Sequence, residues 1–168
     1  MKTILSRMKT LIDNNNNDGG TLSYVKHFEV IHPEVGLTVI SLASLPAILL
    51  VPVSASEVWI ASKQKENINI VYSYLVLSYH QRESSIMGDS TRPAGQGKGI
   101  LDFISDFLSV FRGHMLGTDG VAYLSKPLDI LNIDQFADTL GENAQILVAQ
   151  VQMECRRLFL QTTISTNV

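Results

Sequence analysis

The chain has 168 residues, a length that fits one domain with one hydrophobic core. Charged residues make up only 17% of it, below the share of about a quarter that is usual in globular proteins, which indicates a surface partly buried against partners. The net charge of −3 argues against wrapping of nucleic acid by phosphate neutralisation, and the single cysteine, Cys155, excludes an intrachain disulfide and a cysteine-based zinc site.

Residues 1–13 have the spacing of an amphipathic helix, with Lys2, Arg7 and Lys9 on its polar side. Its apolar positions are Met1, Ile4, Leu5, Met8, Leu11 and Ile12. A helix of this kind could lie on a membrane surface, but we expect it to dock on the domain's own sheet. The most apolar run of the chain, residues 45–53, contains two prolines and is too short for a membrane span.

The helix is followed by a turn-forming run at residues 13–20, DNNNNDGG, whose acids and amides are similar to those of a calcium-binding loop. Counted from Asp13, however, Asp18 stands where such a loop needs glycine, and Tyr24 stands where it needs glutamate. We therefore interpret the run as a turn and not as a calcium site.

Several segments have the composition of β-strands, namely residues 25–31, 45–53, 56–63, 66–79 and 145–160. The segment 66–79 is apolar on both faces, which predicts a strand that is covered on both sides. In the segment 145–160 the odd positions are mainly apolar, so we expect Cys155 to be buried. The even positions change from apolar to polar along the strand, which predicts a face that passes from buried to wet.

The strongest helix signal lies at residues 100–115, where three phenylalanines share a wide apolar stripe. The preceding residues 84–99 are rich in glycine and predict a long flexible loop. This loop is not a P-loop, because Arg92 stands where the first glycine is needed and Gly99 where serine or threonine is needed. Residues 117–141 are predicted to be rich in turns.

This order of elements predicts a single α+β domain over residues 1–168. We expect an antiparallel sheet of about four strands with two main helices packed on one face. Residues 84–99 are its flexible loop, and residues 163–168 are a frayed tail.

No pattern of a catalytic, cofactor-binding or metal-binding site is present in the sequence. The four histidines, His27, His32, His80 and His114, are not at metal-ligand spacing. Asp102 and Asp106 fall on the polar side of the predicted helix, so we interpret them as solvated. If residues 134–142 are helical, Asp134, Asp138 and Glu142 form an acidic row, which is either a solvated face or a docking site for a basic partner.

In the order and pattern of its elements the chain resembles the tail terminator, or tail completion, proteins of tailed bacteriophages. The resemblance rests on the helix ILSRMKTLI at residues 4–12, the proline-flanked strand at 45–53, the strand at 68–77, the helix at 100–108 after the glycine-rich gap, and the strand at 144–151. It implies a structural virion protein, without enzymatic activity or a cofactor, that forms a ring, typically hexameric. The ring would cap the head-proximal end of the tail tube, end its polymerisation and provide the docking face for the head or neck. The alternatives are another head–tail joint or connector subunit, and an enzyme with a dispersed site.

The resemblance also implies partners: further copies of the chain, the tail tube protein, a head–tail connector or neck protein and, in a contractile tail, the sheath protein. No contact with a membrane or with a specific nucleic-acid sequence is expected, although DNA can pass through the ring. The expected location is the tail or neck of the virion, after assembly in the host cytoplasm. The residues expected to contact partners are Tyr72, Tyr74, Arg82, Arg92, Lys98, Gln150, Gln152, Glu154 and Arg156.

Overall fold

The computed structural model describes residues 1–35, 37, 40–61, 64–80, 83–92, 97–117, 121–140 and 144–160. The helices are α1 (Lys2–Asn15), α2 (Glu83–Met87) and α3 (Ile100–Phe111), and a single 3-10 turn spans Leu42–Ser44. The strands are β1 (His27–Val30), β2 (Ala47–Ala61), β3 (Gln64–Ser78), β4 (Asp129–Leu140) and β5 (Ala144–Leu160).

The strands form one five-stranded sheet in the order β1-β2-β3-β5-β4. The α+β class is thereby confirmed. The expected sheet of about four antiparallel strands has to be corrected, because there are five strands and β1 runs parallel to β2. The other pairs of neighbouring strands are antiparallel. Of the three helices, α1 and α3 span several turns, whereas α2 is short.

The fifth strand, β4, lies where the sequence predicted turns and where we considered a helix carrying an acidic row. It pairs with β5 from Asp129 opposite Glu154 to Leu140 opposite Ala144. Pairing with the long β5 satisfies backbone N–H and C=O groups that a turn-rich segment would leave to water, and this gain does not depend on local sequence. The third acid of the row, Glu142, lies outside the described residues.

The predicted strands 45–53 and 56–63 fall on one strand, β2 (Ala47–Ala61), with a register shift between Pro52 and Ser54. Residues 62 and 63 lie outside the described residues. Pro52 lies beyond Leu50, the last residue that pairs with β1, so it stands where β2 has no partner on that side. Proline and a bulge are tolerated at such an edge, and for this reason the apparent break in the sequence does not end the strand.

Both main helices pack on one face of the sheet, which we call the inner face. Ile4, Met8 and Ile12 of α1 share a buried cluster with the phenylalanines of α3 and with β3 and β5 residues such as Val71 and Val151. This confirms that α1 docks on its own domain. Cys155 is buried in the same cluster, as predicted, and burial raises the pKa of its thiol to about 12. Within the described residues, no helix has the length and apolar character needed to cross a bilayer.

The other face of the sheet, which we call the open face, is covered over only part of its length. The cover comes from the connection between β1 and β2, where Ile31, Ile40 and Leu45 are buried against Leu49 and Val76. The strand β3 is therefore buried from both sides only near its end, at Leu75, Val76 and Leu77, whereas Tyr72 and Tyr74 on the open face are half-buried. The predicted cover on both faces is thus present over part of the strand, where the chain itself supplies it.

The glycine-rich segment predicted to be a flexible loop begins with the short helix α2. At its other end, the N–H of Gly99 donates a hydrogen bond to Asp102 Oδ2 at 3.1 Å, which holds the first turn of α3. Residues 93–96 and the predicted tail at residues 163–168 lie outside the described residues.

Candidate functional site

The open face presents cross-strand rows of side chains, because residues directly opposite each other on neighbouring strands point to the same side. One row runs from Val51 through Tyr72 and Gln152 to Asn132. The next row runs from Leu49 through Tyr74 and Gln150 to Asp134. The face therefore changes from apolar on β2 to polar on β5 and β4.

A groove of about 890 Å³ lies on this face. Tyr72 and Tyr74 line it, with their rings edge to face and the ring centroids 6.5 Å apart. Its other apolar lining residues come from the connection between β1 and β2, from β2 and from β4; they are Ile31, Pro33, Leu37, Ile40, Leu42, Val51, Val53, Phe136 and Leu140. The groove has the size and apolar character of sites that take up a ligand or a partner's side chains.

Tyr74 supplies a fixed polar group in the groove. Its hydroxyl accepts a hydrogen bond from Gln150 Nε2 at 3.0 Å. Burial raises the pKa of Tyr74, and the neighbouring Tyr72 raises it further. The Tyr74 side chain is therefore held in one position by a hydrogen bond from β5 to β3, and its hydroxyl is neutral at physiological pH.

Farther along β5 the open face carries an ion network. Arg156 contacts two carboxylates, Glu66 Oε2 on β3 at 3.3 Å and Glu154 Oε1 at 2.5 Å. Glu66 is buried, with a side chain only 7% exposed, whereas Arg156 is about one third exposed. The network therefore neutralises a buried acid from the solvent side and joins the central strand β3 to β5.

At this network the sheet narrows to three strands, which we call the arm: residues 53–61 of β2, 64–70 of β3 and 155–160 of β5. No other strand flanks the described part of the arm, because β1 ends its pairing at Leu50 of β2 and β4 ends its pairing at Glu154 of β5.

Large apolar side chains are exposed at the tip of the arm, and Trp59 is 55% exposed. The others are Val58, Ile60, Leu158 and Phe159. Trp59, Lys65 and Phe159 form a cross-strand row, in which Lys65 Nζ lies 4.5 Å from the centroid of the Trp59 ring. Exposure of this much apolar surface at one end of a small domain is typical of a contact site.

The structure brings six of the predicted partner-binding residues together on the open face: Tyr72, Tyr74, Gln150, Gln152, Glu154 and Arg156. Arg92 and Lys98 instead line a second, smaller hollow of about 380 Å³, where Arg92 contacts Asp89 at 3.3 Å and Lys98 contacts Asp106 at 2.8 Å. The ninth residue, Arg82, lies outside the described residues.

Sequence reasoning missed part of the groove and the whole arm tip. Phe136 and Leu140 were not found because their segment was assigned to turns. Trp59 was placed on a strand, but a tryptophan in an alternating strand usually indicates core, and no sequence signal shows that the strand extends past the helices that would cover it. In the part of the chain that the structure describes, no three His, Cys, Asp or Glu side chains are grouped so as to hold a metal ion. Comparison of the sequence with models of known protein families gives no match, and comparison with curated proteins gives none either.

Proposed function

We propose that this chain is a structural subunit that assembles with copies of itself into a ring, in the manner of the phage tail terminator proteins that it resembles. The observation that carries the proposal is the presence of two exposed apolar surfaces on one small domain, the groove on the open face and the tip of the arm. Surfaces of this kind are uncommon on soluble monomers and are typical of subunits whose partners cover them.

The separation of the two surfaces permits a ring, in which each subunit contacts its two neighbours through different surfaces. The groove lies over the wide part of the sheet, and the tip lies at the far end of β2, β3 and β5. A contact between unlike surfaces that repeats head to tail is heterologous, and such contacts build rings when the rotation between neighbours closes. A terminator must be a closed ring, since an open series of subunits would not end a tube.

The strand β3 contributes side chains, and not a free backbone edge, to the proposed assembly. Every residue of β3 is paired with β5, and most are also paired with β2, so the sheet cannot be continued at β3. Its contribution to the groove is the pair Tyr72 and Tyr74. The polar row Gln150, Gln152 and Glu154 on β5 is the surface that we propose for contact with the tail tube or for the lumen through which DNA passes.

The proposed place of the ring is the head-proximal end of a tail tube, with the tube protein on one side and a connector or neck protein on the other. In a contractile tail the sheath protein would be a further neighbour. The subunit would be made in the host cytoplasm and carried in the virion, and the proposed role requires no catalytic group or cofactor.

Self-assembly is tested by multi-angle light scattering of the purified chain over a wide concentration range. The proposal requires a discrete, ring-sized species that grows in population with concentration. A chain that stays monomeric at the highest concentration would contradict it.

Termination is tested by electron microscopy of particles assembled without this protein, with particles restored by the wild-type gene as the control. Overlong or unstable tails that fail to join heads would support termination. Tails of normal length that stay detached from heads would indicate a connector role instead, and normal joined particles would exclude both.

A further inference from the structure

We propose that the tip of the arm of one subunit inserts into the groove on the open face of the next subunit. The inference rests on the self-assembly proposed above and names the contact that produces it. The ligand of the groove is then a second copy of this chain, with Trp59 as its central side chain.

The groove and the tip match in chemical character. The groove is lined mainly by aliphatic and aromatic side chains, and Leu42, which is 50% exposed, lies at its opening. The tip offers Trp59 and Phe159 on one face of the arm and Val58 and Leu158 on the other, all of them large and exposed. Tryptophan in an apolar pocket is among the commonest side chains that dominate the free energy of a protein interface.

A subunit cannot fill its own groove with its own tip. Val51 lines the groove, and Trp59 lies farther along the same strand by about 26 Å, at about 3.3 Å per residue. Pairing of β2 with β3 continues from Ala47 to Ala61, so the strand cannot fold back on itself without losing those hydrogen bonds. The occupant must therefore come from another molecule.

The charges near the two surfaces are complementary. The sequence has no lysine or arginine from residue 27 to residue 62, or from residue 127 to residue 155, and these stretches build most of the groove. Asp138 lines the groove and Asp134 lies near it on β4; in the described part of the chain, neither carboxylate is within salt-bridge distance of a cation. The arm tip carries Lys65 and Arg157 beside its aromatic side chains.

The cations of the tip are held in place before any contact forms. Arg157 lies 4.6 Å from the centroid of the Phe159 ring and donates a hydrogen bond from Nη1 to the Tyr123 hydroxyl at 2.7 Å. Lys65 has one carboxylate neighbour, Glu57, at 3.2 Å. Insertion of the tip would bring this basic end toward the acidic groove and would fix the direction of the contact.

The test uses two variants that damage opposite sides of one contact. Trp59→Ala removes the main tip side chain, and Leu42→Glu places a charge at the opening of the groove. Both positions are about half exposed, so neither change should unfold the domain. Met87→Ala, at a position that is 60% exposed and lies on α2 away from both surfaces, is the matched control.

We expect Trp59→Ala to weaken self-association by about 30-fold or more, the loss typical of a dominant interface tryptophan, and Leu42→Glu to have a comparable effect. Met87→Ala should assemble like the wild type. An equimolar mixture of the two damaged variants keeps one intact tip and one intact groove, so it should form a dimer that grows no further. Light scattering and native mass spectrometry measure these species.

The outcomes separate this contact from the proposed function. Wild-type assembly that both variants leave unchanged would overturn the insertion of the arm while the ring proposal stands. Loss of assembly in Trp59→Ala alone would show that the tip binds elsewhere than in the groove. A wild-type chain that never associates would overturn both proposals.

Discussion

At the scale of single residues, the arm depends on a buried acid. Glu66 faces the open side of β3 near the point where the sheet narrows, and its nearest cation is Arg156 on the neighbouring strand. Neither residue is informative alone, because a glutamate near the start of a strand and an arginine near the end of another are usually solvated. The register between β3 and β5 is what brings them together, and no local pattern in the sequence specifies that register.

We predict that Arg156→Met lowers the free energy of unfolding by about 2 kcal/mol, because it leaves Glu66 buried without its cation. The expected loss is smaller than that for a fully buried ion pair, because the arginine is about one third exposed and water screens part of the interaction. Urea denaturation measures the change. The double variant Glu66→Leu with Arg156→Met removes both charges and should be more stable than the single variant; equal stabilities would contradict the role of the ion pair.

At the scale of elements, α3 was predictable and β4 was not. The helix follows from its own residues, because the phenylalanines recur at helical spacing and face the sheet whatever their exact partners are. Most of β4 is exposed, and its acids at four-residue spacing suited a helix as well as a strand. Its strand conformation comes from backbone hydrogen bonds to β5, the strand that follows it in the chain, and such bonds leave little trace in composition.

The central position of α3 gives a prediction with a control on the same helix. Phe107 is fully buried and stacks on Phe111 with ring centroids 4.5 Å apart, whereas Leu101 is 39% exposed. Phe107→Ala should cost about 3–5 kcal/mol, because it leaves a cavity between the helix and the sheet. Leu101→Ala should cost about 0.5 kcal/mol or less. Thermal and urea unfolding of the two variants would show whether α3 is the main cover of the inner face; similar losses would contradict it.

At the scale of the whole molecule, the sequence predicted the α+β class and, for the end of β3, the cover on both faces, but not the groove. The groove is built from segments far apart in the chain, the connection between β1 and β2 and the end of β4, and neither has a clear hydrophobic period. The sequence does not show either that β2, β3 and β5 extend beyond the helices. That extension depends on how far the three strands continue to pair after the residues that α1 and α3 cover. The six predicted partner-binding residues of β3 and β5 lie on one face, as predicted, because their alternation along the two strands is local.

The two exposed surfaces also connect assembly with stability. If each subunit covers the tip of one neighbour and receives the tip of another, association removes apolar surface from water only in the folded state, and mass action then favours folding. The unfolding midpoint of the wild type should therefore rise with protein concentration, with a gain of up to about 2.7 kcal/mol when the free concentration exceeds the dissociation constant about 100-fold. Differential scanning calorimetry at a series of concentrations measures this rise.

Over the same series Trp59→Ala should gain less than about 1 kcal/mol, because a contact weakened about 30-fold leaves the free concentration only about 3-fold above its dissociation constant. At high dilution its midpoint should match that of the wild type, because the tryptophan is exposed in the isolated subunit. High salt should lower the wild-type midpoint at high concentration more than at low concentration, since the acidic groove and the basic tip attract each other only across the contact. A midpoint that rises equally in both proteins would show that another surface holds the subunits together. The arm would then be free to meet a different component of the particle.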